Sequence, residues 1–183
     1  MTATKRLADF QRICAAHPYV PKGVFYGELF LFLEACWLAE VSMLIESGVK
    51  FGFSTRVLRA AFRGPMMSID RERSITPAGV DFKQGDAVLM IPQILARTPT
   101  QRYGILIDGP KGEVAIALKD TCLRYESVRV VAIHDAPRGR GESVHSLDPV
   151  YREYAGRELD ALIEHPYAAK YPDGPGLAVW VHR

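Results

Sequence analysis

Short apolar runs that each stop at glycine or an acid, separated by longer amphipathic stretches, constrain this chain more than any other feature. Met43-Leu44-Ile45 ends in Glu46-Ser47-Gly48, and Pro65 to Ile69 ends at Asp70. Val80-Asp81-Phe82 leads to Gly85-Asp86-Ala87, Tyr103 to Ile107 stops at Asp108-Gly109-Pro110-Lys111-Gly112, and Val128 to Ile133 stops at His134-Asp135. Between them lie stretches with helical spacing, from Ser54 to Phe62, Val88 to Ala96 and Glu113 to about Arg124. This alternation predicts a parallel sheet with crossover helices, and right-handed crossovers make the sheet doubly wound, with helices on both faces.

The flanks extend the pattern. An amphipathic helix runs to about Ala16, a Pro/Gly connector covers His17 to Gly23, and Phe25 to Ala39 reads as a mostly buried helix. After His134-Asp135, residues 136–144 carry loop chemistry, with Pro137, Gly139, Gly141, Arg138 and Arg140, and read as a lid over the substrate. A helix from about Pro149 to Ile163 is expected next, with Asp148 as its cap. Leu177 to Val181 closes the chain as a strand. The expectation is one α/β domain with a mostly parallel sheet of about six strands. Residues 1–40 form N-terminal helices, 41–135 the core that holds a ligand, and 136–183 the lid loop, helix and final strand.

Composition excludes several function classes. The 183 residues carry 23 Lys+Arg against 21 Asp+Glu, a net +2 with no basic run, so phosphate attraction is no basis for nucleic-acid binding. Cys14, Cys36 and Cys122 form neither a CxxC pair nor a zinc-ligand set with His, and are expected as buried free thiols. The apolar segment Phe25 to Val49 contains Glu28, Glu34, Glu40 and Glu46, too many charges for a membrane span. The start, broken by Asp9 and Arg12, does not read as a signal peptide. A cytoplasmic protein with a small-molecule substrate follows, without nucleic acid or membrane as partner and with a homo-oligomer left open.

Ligands of an open parallel sheet bind at the carboxyl ends of its strands, near the point where strand order reverses. The polar run ends therefore share one edge. The most informative is Glu46-Ser47-Gly48-Val49-Lys50-Phe51-Gly52-Phe53-Ser54-Thr55, an E-x-G-x-x-x-G-x-S-T turn after the first core strand. Gly48 and Gly52 permit positive φ and close backbone approach. The bland alternative is a tight strand-to-helix turn capped by Ser54 or Thr55. Asp70 stands 22 positions after Gly48, near the spacing at which nucleoside-binding units place a ribose-binding acid.

The ordered set resembles the class I S-adenosylmethionine-dependent methyltransferases, over about Leu31 to Asp135. The carrying residues are Glu46-x-Gly48-x-x-x-Gly52-x-Ser54-Thr55, Asp70, Gly85-Asp86-Ala87 and Leu106-Ile107-Asp108-Gly109. The nearest branch is that of sugar O-methyltransferases and cephalosporin hydroxylase-like proteins. The resemblance implies a Rossmann-like methyltransferase fold and S-adenosylmethionine as cofactor. Glu46, Gly48 and Gly52 would surround its methionine part, Asp70 its ribose and Asp86 its adenine, with Ser47, Ser54, Thr55, Gly85 and Asp108 completing the set. Lys50 or Phe51 stands where the family often has a central glycine.

Asp108 and Asp135 also match metal-binding acids of the metal-dependent branch, whose further Asp or Asn is Ala136 here. Two carboxylates suit magnesium. Lys111 offers a point charge to an anionic substrate. His134 or Asp135 is the general base for the attacking hydroxyl, although neighbours on a strand point to opposite faces. The expected function is methyl transfer to a small-molecule or sugar hydroxyl. The alternatives are a metal-dependent hydroxylase-like enzyme of this fold and a non-catalytic binding domain. A nicotinamide enzyme would show G-x-G-x-x-G instead.

Overall fold

The computed structural model describes residues 3–20, 23–74, 76–135, 151–154 and 177–181. All five apolar runs are strands: β1 (Met43–Ser47), β2 (Met66–Asp70), β3 (Val80–Gln84), β4 (Tyr103–Ile107) and β5 (Val128–His134). They pair in parallel in the order β3-β2-β1-β4-β5. The chain winds outward from β1 to β3 and then crosses back to β4, so strand order reverses between β1 and β4. That junction is where a doubly wound sheet opens a crevice for ligand.

Helices α1 (Ala3–Ala16), α2 (Tyr26–Leu38) and α3 (Phe53–Ala61) cover one face, and α4 (Ala87–Arg97) and α5 (Glu113–Cys122) cover the other. Alternate residues of the strands divide between the two cores. Leu44, Met66, Leu106, Val130 and Ala132 pack with α1 to α3, while Ile45, Met67, Ile105, Val131 and Ile133 pack with α4 and α5. Burial on both faces explains why these strands read as continuous apolar runs. Each fully buried Leu or Ile contributes about 1.5–3 kcal/mol through removal from water. The expected buried helix is α2, whose residues from Tyr26 to Leu33 are all buried. The three cysteines are free and buried, as the sequence indicates.

Beyond β5 the sheet turns antiparallel. β7 (Leu177–Val181) pairs with β5, and β6 (Tyr151–Tyr154) pairs with β7, giving seven strands in the order β3-β2-β1-β4-β5-β7-β6. This corrects the expected helix from Pro149 to Ile163, because residues 151–154 are a strand. Val150, Tyr151 and Tyr154 favour a pleated surface, and the outer edge of β7 offers unpaired backbone groups that a strand satisfies and a helix does not. The remainder of that helix, and the lid loop at 136–144, lie outside the described residues. Among the described residues no helix is long and apolar enough to cross a membrane.

Candidate functional site

The glycine turn after β1 is held from below by Glu46. Its carboxylate is fully buried and accepts from Ser54 Oγ at 2.5 Å, Thr55 Oγ1 at 2.6 Å and Ser68 Oγ at 2.8 Å. Burial pushes its pKa up to about 7 against the three hydroxyl donors. Through Ser68, Ser54 and Thr55, Glu46 thus ties β1 to β2 and to the first turn of α3 beneath the crevice. Ser54 and Thr55 do not cap α3. Gly52 occupies the cap position with φ 65°, in the left-handed region that glycine tolerates.

Ser47 joins the two strands at the reversal point. Its carbonyl accepts from the backbone N–H of Asp108 at 2.8 Å and of Gly109 at 3.0 Å, and its hydroxyl donates to the Gly109 carbonyl. Gly48 has φ 86°, and a Cβ built on it would stand 2.5 Å from the Gly109 nitrogen. The turns after β1 and β4 therefore meet backbone to backbone.

Asp70, at the end of β2, grips the same turn. Its Oδ2 accepts from Val49 N at 2.6 Å and Lys50 N at 3.0 Å, and its Oδ1 from Glu72 N at 3.0 Å. Burial opposes its ionisation, but backbone donors including Lys50, Glu72 and Val49 outweigh that and hold it below the usual carboxylate range. Asp86 caps α4 by accepting from Val88 N at 2.9 Å, and its other oxygen pairs with Arg71 at 2.6 Å. Val88 N–H and Arg71 together lower its pKa.

A cleft of about 270 Å³ opens above these residues, lined by Gly48, Asp70, Arg71, Gly85, Asp86 and Gly109 among others. Its size is close to the lower end of small-molecule sites, about 300 Å³. Of the residues that the sequence assigned to the cofactor, Gly52 caps α3 and Asp108 stands past β4 outside the cleft lining, and the others separate into two groups. Gly48, Asp70, Gly85 and Asp86 line the cleft, whereas Glu46, Ser47, Ser54 and Thr55 support its floor. A larger cavity of about 880 Å³ lies at the opposite, amino edge, between α1 and the end of α3. None of the sequence-identified residues lines it, and strand carboxyl ends, not amino ends, carry ligands in this architecture.

Beside the cleft, at the ends of β4 and β5, five ionisable side chains converge. Lys111 Nζ donates to Asp108 Oδ1 at 2.5 Å and to Asp135 Oδ2 at 2.6 Å, and His134 Nδ1 lies 2.6 Å from the same Asp108 oxygen. On its other side, His134 Nε2 is 3.4 Å from Glu28 Oε2. Burial favours the neutral imidazole, but Asp108 and Glu28 overcome it and raise the His134 pKa to about 10. Burial likewise opposes charge on Lys111, and Asp108 and Asp135 reverse that, raising its pKa above the usual value. Desolvation works against the Asp108 carboxylate too, but His134 and Lys111 keep it below its ordinary range.

Two cations and three carboxyl groups thus form one network. His134 and Asp135 reach the same network, although neighbours on a strand point to opposite faces, because Asp135 lies just past β5 with φ 59°. That left-handed turn brings its carboxylate back to Lys111. Asp108, His134 and Asp135 each present a ligand atom within 4.8 Å of the others, a geometry able to take a metal ion. Glu28 was missed in the sequence, where it served only as a charge against membrane insertion. Its signal is a carboxylate in the first turn of a mostly apolar helix, within the run from Tyr26 to Leu33 that is buried throughout. It is fully buried, its Oε2 accepts from Phe25 N at 2.9 Å, and its Oε1 has no hydrogen-bond partner among the described residues.

No protein-family model and no curated protein matches the chain. Solved structures do. The O-methyltransferase TomG from Streptomyces achromogenes, involved in tomaymycin synthesis and solved with S-adenosylmethionine, is 18% identical with a TM-score of 0.56, over 97% of this chain and 89% of that one. An O-methyltransferase from Bacillus cereus in complex with S-adenosylhomocysteine is 17% identical with a TM-score of 0.50, covering 100% and 93%. The 23S rRNA methyltransferase ErmE is 14% identical with a TM-score of 0.52, covering 84% and 67%. With the parallel order β3-β2-β1-β4-β5 closed by antiparallel β7, these likenesses establish that the chain has the Rossmann-like fold of the class I S-adenosylmethionine-dependent methyltransferases.

Proposed function

We propose that the chain transfers a methyl group from S-adenosylmethionine to a hydroxyl of a small molecule. The observation that carries this reading is the position of the cleft. It lies at the strand reversal, bordered by an ionised acid at the end of β2, and a charged cluster stands next to it at the ends of β4 and β5. The cleft fits the cofactor in kind. The left-handed Gly48 gives a backbone surface without a side chain, Asp70 is a carboxylate suited to two ribose hydroxyls, and Asp86 stands one strand further out for the base.

When bound, S-adenosylmethionine supplies an electrophilic methyl on a sulfonium and departs as a neutral thioether. The chain's own groups supply position and charge, which is where much of the rate of such transfers originates. Asp70 and Asp108, both ionised, favour a cationic ligand in the cleft. Lys111 and His134, both protonated at neutral pH, stabilise negative charge developing on the acceptor oxygen. An imidazolium does not take up a proton. Of the two groups that the sequence offers as general base, Asp135, with a side chain 44% exposed, is therefore the one that receives it.

Asp108 and Asp135 are also the pair that would hold magnesium, whose chemistry would be to fix and acidify the acceptor hydroxyl. Lys111 now lies between these two carboxylates, so the ion and the ammonium compete for one position. That cluster also favours the second reading, a metal-dependent hydroxylase-like enzyme.

Calorimetric titration with S-adenosylmethionine, S-adenosylhomocysteine and NADH, each with and without magnesium, tests the proposal. Saturable binding of the first two, weakened at least tenfold by Asp70→Ala in a variant of unchanged circular dichroism, is the expected result. Binding of NADH alone, or of none, would remove it. Methyl transfer assayed on hydroxylated small molecules and, separately, on structured RNA decides the acceptor class that the likeness to ErmE raises.

A further inference from the structure

The cavity of about 880 Å³ at the amino edge takes no part in the site described above, and its lining is made for a ligand of a different kind. Its volume falls in the upper part of the small-molecule range, about 300–1,000 Å³. Ile13 of α1, Trp37 in the last turn of α2, Val41 just before β1 and Phe62 just after α3 give it an apolar interior. The wall after α3 is fixed in place. Arg59 Nη1 donates to the Gly64 carbonyl at 2.6 Å, and a Cβ on Gly64 would stand 2.6 Å from the Phe62 ring and 2.7 Å from the Ser42 carbonyl oxygen, so glycine lets this wall close on the start of the sheet.

Charge on the lining is unbalanced. It carries three guanidinium groups, those of Arg6, Arg12 and Arg63, against the single carboxylate of Asp9. Arg6 is held by Glu34 at 2.7 Å, and Arg12 pairs with Asp9. The Arg63 side chain is exposed and has no ion-pair or hydrogen-bond partner among the described residues. A guanidinium offers its N–H donors as a planar fork that matches a carboxylate, phosphate or sulfonate. One such fork beside an apolar interior selects a molecule that carries an acidic group on an apolar body.

We propose that this cavity is a second ligand site, for a small amphipathic anion whose acidic group sits on Arg63 and whose apolar body lies against Trp37, Val41 and Phe62. Reactants bind at strand carboxyl ends in this architecture, so the occupant of the amino edge is an effector. The inference does not depend on the methyl-transfer reading. Its probes are anilinonaphthalene sulfonate and phenylnaphthylamine, the second having the same kind of rings without the acidic group. Both are titrated by fluorescence into the full-length wild type, Arg63→Glu and Trp37→Phe, with thermal melting confirming that each variant folds. The expected result is one sulfonate probe per chain, with energy transfer from tryptophan that falls by about half or more in Trp37→Phe. A charge-assisted contact is worth about tenfold in affinity or more, so Arg63→Glu should bind the sulfonate, and the wild type the neutral probe, at least that much more weakly. Equal affinity for the two probes would reduce the cavity to an apolar patch and overturn the inference. Unchanged affinity in Arg63→Glu, undiminished transfer in Trp37→Phe, or no saturable binding would overturn it as well. A wild type that is dimeric by light scattering and monomeric as Arg63→Glu would assign the cavity to a second copy of the chain instead.

Discussion

The two halves of the carboxyl edge are built on different principles. Above β1 and β2, the cleft is shaped by backbone: Gly48 against Gly109, and a carboxylate held by backbone N–H groups. Above β4 and β5, the surface is shaped by side-chain charge, with Lys111 and His134 sharing one oxygen of Asp108. A backbone-built surface presents no titrating group to its ligand but is intolerant of substitution. A charge-built site accepts substitution at its rim and changes character with protonation and with cations. On the proposed methyl-transfer reading, this division would let one half hold an invariant cofactor while the other adapts to an acceptor.

The largest effect should come from breaking the backbone half. Gly48→Ala places a methyl group at φ 86° and within 2.5 Å of the Gly109 nitrogen, and strain with overlap should lower stability by about 3 kcal/mol. Urea denaturation measures it. A loss below about 0.5 kcal/mol would mean that the two turns separate freely, and the contrast between the halves would disappear.

Next in size is the pH dependence of the charged half. His134 has its pKa raised from 6.5 to about 10. Its protonation therefore stabilises the fold fully below about pH 6.5, and that contribution is lost as pH rises toward 10, while the unfolded state has already released the proton. Asp108→Asn removes the chief partner that raises this pKa. The variant should be less stable at pH 6 and should lose less stability between pH 7 and 10, as read from denaturation midpoints. Parallel slopes for the two proteins would show that His134 is not the titrating group.

Glu46 offers a comparison within the backbone half. Its pKa is raised from 4.5 to about 7, so stability is fully present below pH 4.5 and declines as pH rises through 7. Glu46→Gln keeps an acceptor for the hydroxyls of Ser54, Thr55 and Ser68 and has nothing to ionise. Its stability should be flatter between pH 4.5 and 7, and a wild-type slope in the variant would locate the titration elsewhere. The smallest effect concerns magnesium. Lys111→Ala vacates the position between Asp108 and Asp135 and should tighten magnesium binding severalfold by calorimetry, whereas weaker binding would show the ammonium to be no competitor.

Legibility in the sequence followed the same division. Strands β1, β2, β4 and β5, with Asp70 at the end of β2 and Gly48 just beyond β1, were readable because buried parallel strands leave continuous apolar runs and tight turns require glycine, whereas the exposed edge strand β3 was marked mainly by the Gly85-Asp86 turn that ends it. The meeting of His134 and Asp135 in one network was not, because it depends on a left-handed residue just after the strand, where alternation no longer applies. Glu28 was hidden by sequence distance: 106 positions separate it from His134, and local pattern carries no information about which helix settles on which strand end. The strand at 151–154 was concealed by helical spacing in the surrounding residues, which the unpaired edge of β7 overrode.

The contact between Gly48 and Gly109 has a consequence for how such a protein diversifies. At Gly48 the facing main chain leaves no room for a side chain, so natural variation cannot tune that side of the reversal point by small steps. A lineage keeping this junction has to explore new acceptors through residues further along the β4 and β5 turns, such as Lys111 and Asp135. On the proposed reading, this fixed junction is what would permit its neighbours to vary, since the cofactor's seat need not be rebuilt with each change of substrate.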